Sequence, residues 1–252
     1  MSDPNSEFQA PPPPPQAPAP TEPTLSAAET ITGIFFEPGR VFEAMRERPR
    51  FLAAGILLLV LHIVITVTLF QRVDMGQYIR DKIDRSSRSA QQTEQQKEMG
   101  VKVTKIIFEV GTPIGVIVFT AAGAALYLVG VLAFGSSISY KKALAVWIYS
   151  SLPPTVLATV VAVLVLFLKA PETIDPEHLL MTNPGSFMGP DSSPALTALL
   201  SQFDLLRFYG LFLAALGLRK VTKLSSGSAW AIVIVFWLIL AILAIAGKAI
   251  GG

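Results

Sequence analysis

Long apolar runs alternate with charged or proline-rich connectors along this chain. Five runs stand out, at about 51–70, 111–134, 143–168, 203–218 and 229–247. The first has only His62, Thr66 and Thr68 as polar members. Twenty helical residues reach roughly 30 Å, the thickness of a hydrocarbon core. The third run contains Pro153-Pro154, which removes two backbone donors mid-helix, so an interruption and a kink are expected there. The fourth run is short and carries Arg207. It spans the core only if its helix extends back through Phe203 toward Ala195. The fifth is entered through Trp230, as suits an interfacial aromatic belt.

The connectors have patterns of their own. Ser26-Ala27-Ala28-Glu29 has the spacing of a capping box, after which Ile31, Ile34 and Phe35 share one helical face. Pro38-Gly39 ends that helix. Val41, Phe42 and Met45 then resume an apolar face opposite Arg40, Glu43, Arg46 and Glu47. Two short amphipathic helices just before a span suit the bilayer interface, or else the bundle's own end surface. Between spans one and two, residues 71–105 hold eight Lys/Arg and five Asp/Glu. Val73, Ile79 and Ile83 keep helical spacing there, which predicts a protruding antiparallel helical pair turning at 86–90. Segment 170–194, rich in Pro, Gly and Asp, reads as an irregular loop.

The predicted fold is an all-α membrane protein with five transmembrane helices, N-terminal amphipathic interfacial helices and the hairpin just described. The chain divides into a disordered proline-rich tail (1–25), the amphipathic helices (26–50) and a five-helix transmembrane domain (51–252). Composition agrees, with 52% hydrophobic and 15% charged residues and a mean hydropathy of +0.54. A formal charge of +2 and no basic patch interleaved with aromatics argue against nucleic acid. With no cysteine and only His62 and His178 as histidines, neither a thiolate nor a metal centre is expected, and no cofactor. Lys141 and Lys142, then Arg219, Lys220 and Lys223, lie in short connectors on the same side as Arg46, Arg48 and Arg50. The positive-inside rule makes that side, and the N-terminus, cytoplasmic, with the C-terminus outside.

Ionisable groups inside spans cost a few kcal/mol each, so they mark candidate sites. Asp204 and Arg207 sit one turn apart, spaced for a charge-assisted hydrogen bond. They form either a polar site between helices or a self-neutralising pair near the membrane surface. His62 lies near the middle of span one, as a relay member or a structural bond. Pro153 and Pro154 either line a site, as broken helices of transporters do, or only shape packing. Gly111-x-x-x-Gly115 and Ala121-x-x-x-Ala125 admit close helix approach, a motif too frequent in spans to decide self-association, so a homo-oligomer stays open. No clustered carboxylates, Gly-rich phosphate loop, HExxH or GxSxG appears, so no enzyme is expected.

Three stretches carry a resemblance. They are Phe36-Glu37-Pro38-Gly39-Arg40-Val41-Phe42-Glu43 with Arg48-Pro49; Ser139-Tyr140-Lys141-Lys142-Ala143-Leu144 with Tyr149-Ser150-Ser151-Leu152-Pro153-Pro154; and Phe203-Asp204-Leu205-Leu206 with Gly217-Leu218 and Ala229-Trp230-Ala231. Over residues 30–247 the chain resembles the Yip domain family, the Ypt/Rab-interacting polytopic membrane proteins, in its bacterial branch. The resemblance implies five spans, a cytoplasmic N-terminus and a non-enzymatic scaffold or adaptor role in membrane organisation or trafficking. The implied location is a bacterial inner membrane, or an ER or Golgi membrane in a eukaryote. Partners would be the lipid bilayer and proteins met by the N-terminal tail. The alternative is a small transporter or channel subunit using the kinked third helix with Asp204 and Arg207.

Overall fold

The computed structural model describes residues 25–86, 89–189 and 192–251, so the predicted tail lies, Leu25 apart, outside the described residues. Among the described residues every regular element is helical. Helix α1 (Ala27–Phe36) starts on the expected capping box, with Ser26 accepting from the Glu29 N–H and Glu29 accepting from the Ser26 N–H. Helix α2 (Pro38–Glu47) starts with proline at a position where a missing N–H costs nothing. Span helix α3 (Leu52–Arg72) leads to α4 (Met75–Arg85), and α5 (Glu94–Ile106) returns, giving the predicted hairpin. Residues 87 and 88 of its turn lie outside the described residues.

Helix α5 runs without a break through a π turn (Ile107–Gly111) into α6 (Thr112–Ala133), 40 residues in all. Pro113 supplies no N–H to the Glu109 carbonyl, which accounts for the wider turn at that point. Gly135, at φ +71°, closes α6 with the Ser136 N–H bonded to the Val131 carbonyl and the Gly135 N–H to that of Leu132. Then come α7 (Tyr140–Leu168), α8 (Pro194–Leu200), α9 (Leu205–Val221) and α10 (Ser226–Gly251). Four helices are long and apolar enough to cross a membrane. A fifth crossing exists if α8 and α9, bent by 49°, count as one.

Helix α7 is central, packing on α3, α6 and α9. Small residues set how closely its neighbours approach. A Cβ on Gly123 of α6 would collide with the Trp147 ring, and one on Gly217 of α9 would lie 2.9 Å from both Val146 of α7 and Phe42 of α2. Those glycines let flat side chains sink between helices, which is how packing replaces the hydrophobic effect inside lipid. The amphipathic α1–α2 pair is seated on the bundle end, where α6 and α9 finish and α7 and α10 begin. Ile34, Val41 and Phe42 are fully buried, Met45 is 1% exposed, and Lys220 pairs with Glu43. Of the two placements open from sequence, the inner faces take the bundle surface. Phe36, 85% exposed, stays on the outer face.

Replacing Gly217 with alanine is expected to lift α2 from its seat, because the added methyl meets two packed side chains at once. Overpacking of this kind costs about 1–3 kcal/mol. Limited proteolysis within residues 25–50 should quicken in detergent. Gly115→Ala, at a site with nothing within 4 Å, should cut like wild type.

Candidate functional site

The interruption expected in the third helix lies in the fourth. Helix α7 is continuous through Pro153 and Pro154. The carbonyls of Tyr149 and Ser150 lose their usual donors. Gly210 of α9 then packs over the gap, such that a Cβ there would lie 3.5 Å from the Ser150 oxygen and from Pro154. The Ser150 and Ser151 hydroxyls both donate to the Trp147 carbonyl, at 3.0 and 2.9 Å. The helix thus persists through both prolines, with Gly210 packed over the Ser150 carbonyl.

The chain does break between α8 and α9. Gly210 faces Ser150 and Pro154, and Gly217 faces Val146, so α7 and α9 run antiparallel in register. That register sets Leu205 level with Thr159, about 14 Å along α7 from its end at Leu168. The segment before α9 thus folds back beside the bundle to reach its helix start. Polar groups gather at this point. The Asp204 carboxylate caps α9, accepting from the Arg207 N–H at 2.9 Å, and also accepts from the Thr182 hydroxyl and the Asn183 amide at 3.4 Å. The Leu205 N–H donates to the Thr182 carbonyl at 3.1 Å. Negative charge at a helix N-terminus is stabilised by the helix dipole.

Asp204 and Arg207 do not pair side chain to side chain, contrary to the spacing argument. The Arg207 guanidinium donates instead to the Gln202 side-chain oxygen, and the Gln202 amide donates to the Ala198 carbonyl at 3.0 Å. The reason is geometric: a cap residue turns its carboxylate back onto the first-turn N–H groups, away from the Arg207 head group. His62 is elsewhere, its Nδ1 2.8 Å from the Leu58 carbonyl of its own helix. A carbonyl only accepts, so Nδ1 carries the hydrogen. The structure therefore brings Pro154 near α9 but leaves His62 apart from Asp204 and Arg207. Sequence reasoning missed Thr182, Asn183 and Gln202. The readable signals were Asn183-Pro184-Gly185, which has the composition of a turn, and an aspartate just before an apolar run.

Around this knot the far end of the bundle is tied by polar contacts. Arg72, ending α3, donates to the carbonyls of Leu166 at 2.9 Å and Lys169 at 3.3 Å, capping the C-terminus of α7, with its guanidinium over Phe167. Lys82 of the hairpin pairs with Glu177 of the 169–193 segment, and Asp175 with His178 at 2.7 Å. Burial pushes the Asp175 carboxyl up, but its bonds to His178 and the Glu177 N–H outweigh that and leave it lowered. Burial pulls Lys82 down, and Glu177 with Tyr78 more than reverses this, leaving it raised.

A family model described as the Yip1 domain matches residues 32–247, from the α1–α2 seat to the last helix. No curated protein and no solved structure matches the chain.

Two outcomes follow from this geometry. Asp204→Ala removes the cap and strands Thr182, and should lower stability by about 1–2 kcal/mol, read as a lower thermal midpoint in detergent. Asp204→Asn keeps an acceptor and should lose less. Within the segment, Asp175, lowered in the folded state, contributes above the ordinary carboxyl range and ceases to as pH falls through its folded value. Lys82, raised, contributes below the ordinary lysine range and is lost as pH rises through its folded value. Spin labels on the hairpin and at residues 175–178 should therefore keep a constant separation from neutral pH to roughly pH 9 and spread as pH rises through the folded Lys82 value.

Proposed function

The chain belongs to the Yip1 domain family, and we propose that within it this protein is a non-enzymatic membrane scaffold or adaptor. One observation carries the reading. The polar groups at the break are spent on one another and on helix ends (Asp204 with Thr182 and the α9 N-terminus, Arg207 with Gln202). A conduit would present such groups to a passing solute. His62, the other candidate for a relay, bonds within α3. Meanwhile the α1–α2 pair is held firmly by a buried apolar face, fixing where the N-terminal tail leaves the bundle. A tail so anchored can gather proteins at the membrane surface, through its PxxP stretches Pro15-Gln16-Ala17-Pro18 and Pro20-Thr21-Glu22-Pro23.

In this reading α1, α2 and the basic connectors 141–142 and 219–223 face the cytoplasm of a bacterial inner membrane. The hairpin and the 169–193 segment lie outside, as does the C-terminus. Reporter fusions at the two termini should report opposite compartments. Both in one compartment would remove the five-pass topology.

The role itself is tested by deleting residues 1–24, which leaves the buried seat of α2 intact. Co-purified proteins lost on that deletion, with no solute flux from liposomes loaded with ions or small metabolites, are the expected result. Flux abolished by Asp204→Asn in a folded protein would replace the scaffold with the transporter reading.

A further inference from the structure

Between the end of α7, residues 169–189, Ser192, α8 and α10 lies a cleft of about 830 Å³. Its size falls in the range of small-molecule sites. Val165 of α7 and Ala244 of α10, from two membrane-crossing helices, form part of the apolar floor, while Lys169, Asp175, Glu177 and His178 also line it. Four hydroxyls on its wall already donate to backbone carbonyls: Thr173 to Ala170, Ser186 to Leu180, Thr197 to Ser193 and Ser201 to Thr197, at 2.8, 3.2, 3.2 and 2.8 Å. They therefore offer the cleft lone pairs rather than hydrogens. Two carboxylates add to this acceptor wall. Against them stands Lys169, which makes no ion pair among the described residues, whereas Glu177 is met by Lys82 and Asp175 by His178.

A matching ligand carries one anionic group for the lysine and several N–H donors for the acceptors. The surroundings add a further constraint. Met181, which lines the cleft, is 55% exposed, and Leu168 and Phe187, each next in sequence to a lining residue, are 82% and 71% exposed. Apolar side chains so presented beside the ends of membrane helices suit the boundary between headgroups and acyl chains.

We propose that this cleft seats the headgroup of an ethanolamine phospholipid, its phosphate on Lys169 and its primary ammonium against Asp175, Glu177 and the hydroxyl wall. The apolar floor and rim receive the start of the acyl chains, which is why the ligand is a lipid and not a soluble phosphate ester. A choline headgroup has the same charges but no N–H donor. A glycerol headgroup has no cation for the carboxylates.

The test is native mass spectrometry of the full chain, released from detergent after equilibration with an equimolar mixture of ethanolamine, choline and glycerol phospholipids of identical acyl chains. The ethanolamine lipid should be retained roughly fivefold over the other two, the ratio expected for about 1 kcal/mol of discrimination. Lys169→Gln should cut retention of all three. Asp175→Asn should bring the ethanolamine lipid down to parity with choline, and Glu177→Gln supplies the same reading if Asp175→Asn unfolds. Equal or better retention of choline or glycerol lipid by the wild type overturns the proposal. So does unchanged retention in folded Lys169→Gln. Soluble glycerophosphoethanolamine binding as tightly as the lipid also overturns it, since the ligand would then come from water.

Discussion

Inside hydrocarbon no water waits to accept a stray N–H or C=O, so each backbone polar group must find its partner within the chain. That requirement shapes the two irregular places in this bundle. In α7 the Ser150 carbonyl, freed by Pro154, lies under the close approach of Gly210, and the helix persists. Between α8 and α9 the ladder does stop. There the orphan N–H groups of the new helix go to the Asp204 carboxylate and to the Thr182 carbonyl. The polar residues of the fourth span are thus the completion of a helix start that lies below the end of its neighbour. The same residues that looked like an ion pair serve as backbone partners.

The two ends of the bundle are held by different physics. At one end α2 buries Val41, Phe42 and Met45 against α9 and α7, and Gly217 makes room for the Phe42 ring. At the other end the hairpin meets the loop after α7 through Lys82–Glu177, and Arg72 of α3 caps α7, contacts that are partly exposed. Exposed ion pairs are worth about 0–1 kcal/mol each. The hairpin end is accordingly the weaker joint, and the α1–α2 end the firm one.

Much of this was legible in the chain, and the reasons are local. Helix ends followed from apolar runs, with 51–70 against Leu52–Arg72 and 134 against the end of α6 at Ala133. The Ser26–Glu29 capping box and the hairpin followed from spacing that only neighbouring residues determine. What could not be read depended on partners distant in sequence. Proline chemistry predicts an interruption and a kink in α7; that the helix continues, and that Gly210, 56 positions from Pro154, packs over the Ser150 carbonyl, could not be read locally. Spacing alone put Asp204 and Arg207 together. It could not weigh that pairing against Thr182 and Gln202, which compete for the same two side chains.

The unbroken run of helix from Glu94 to Ala133 is 40 residues long, about 60 Å at the usual rise and twice the depth of a bilayer core. Its apolar half packs on α3, α7 and α10, and the wider π turn at Ile107–Gly111 sits where that half meets the charged one. The hairpin is therefore set on the bundle by continuous helix on this side, with no loop between them.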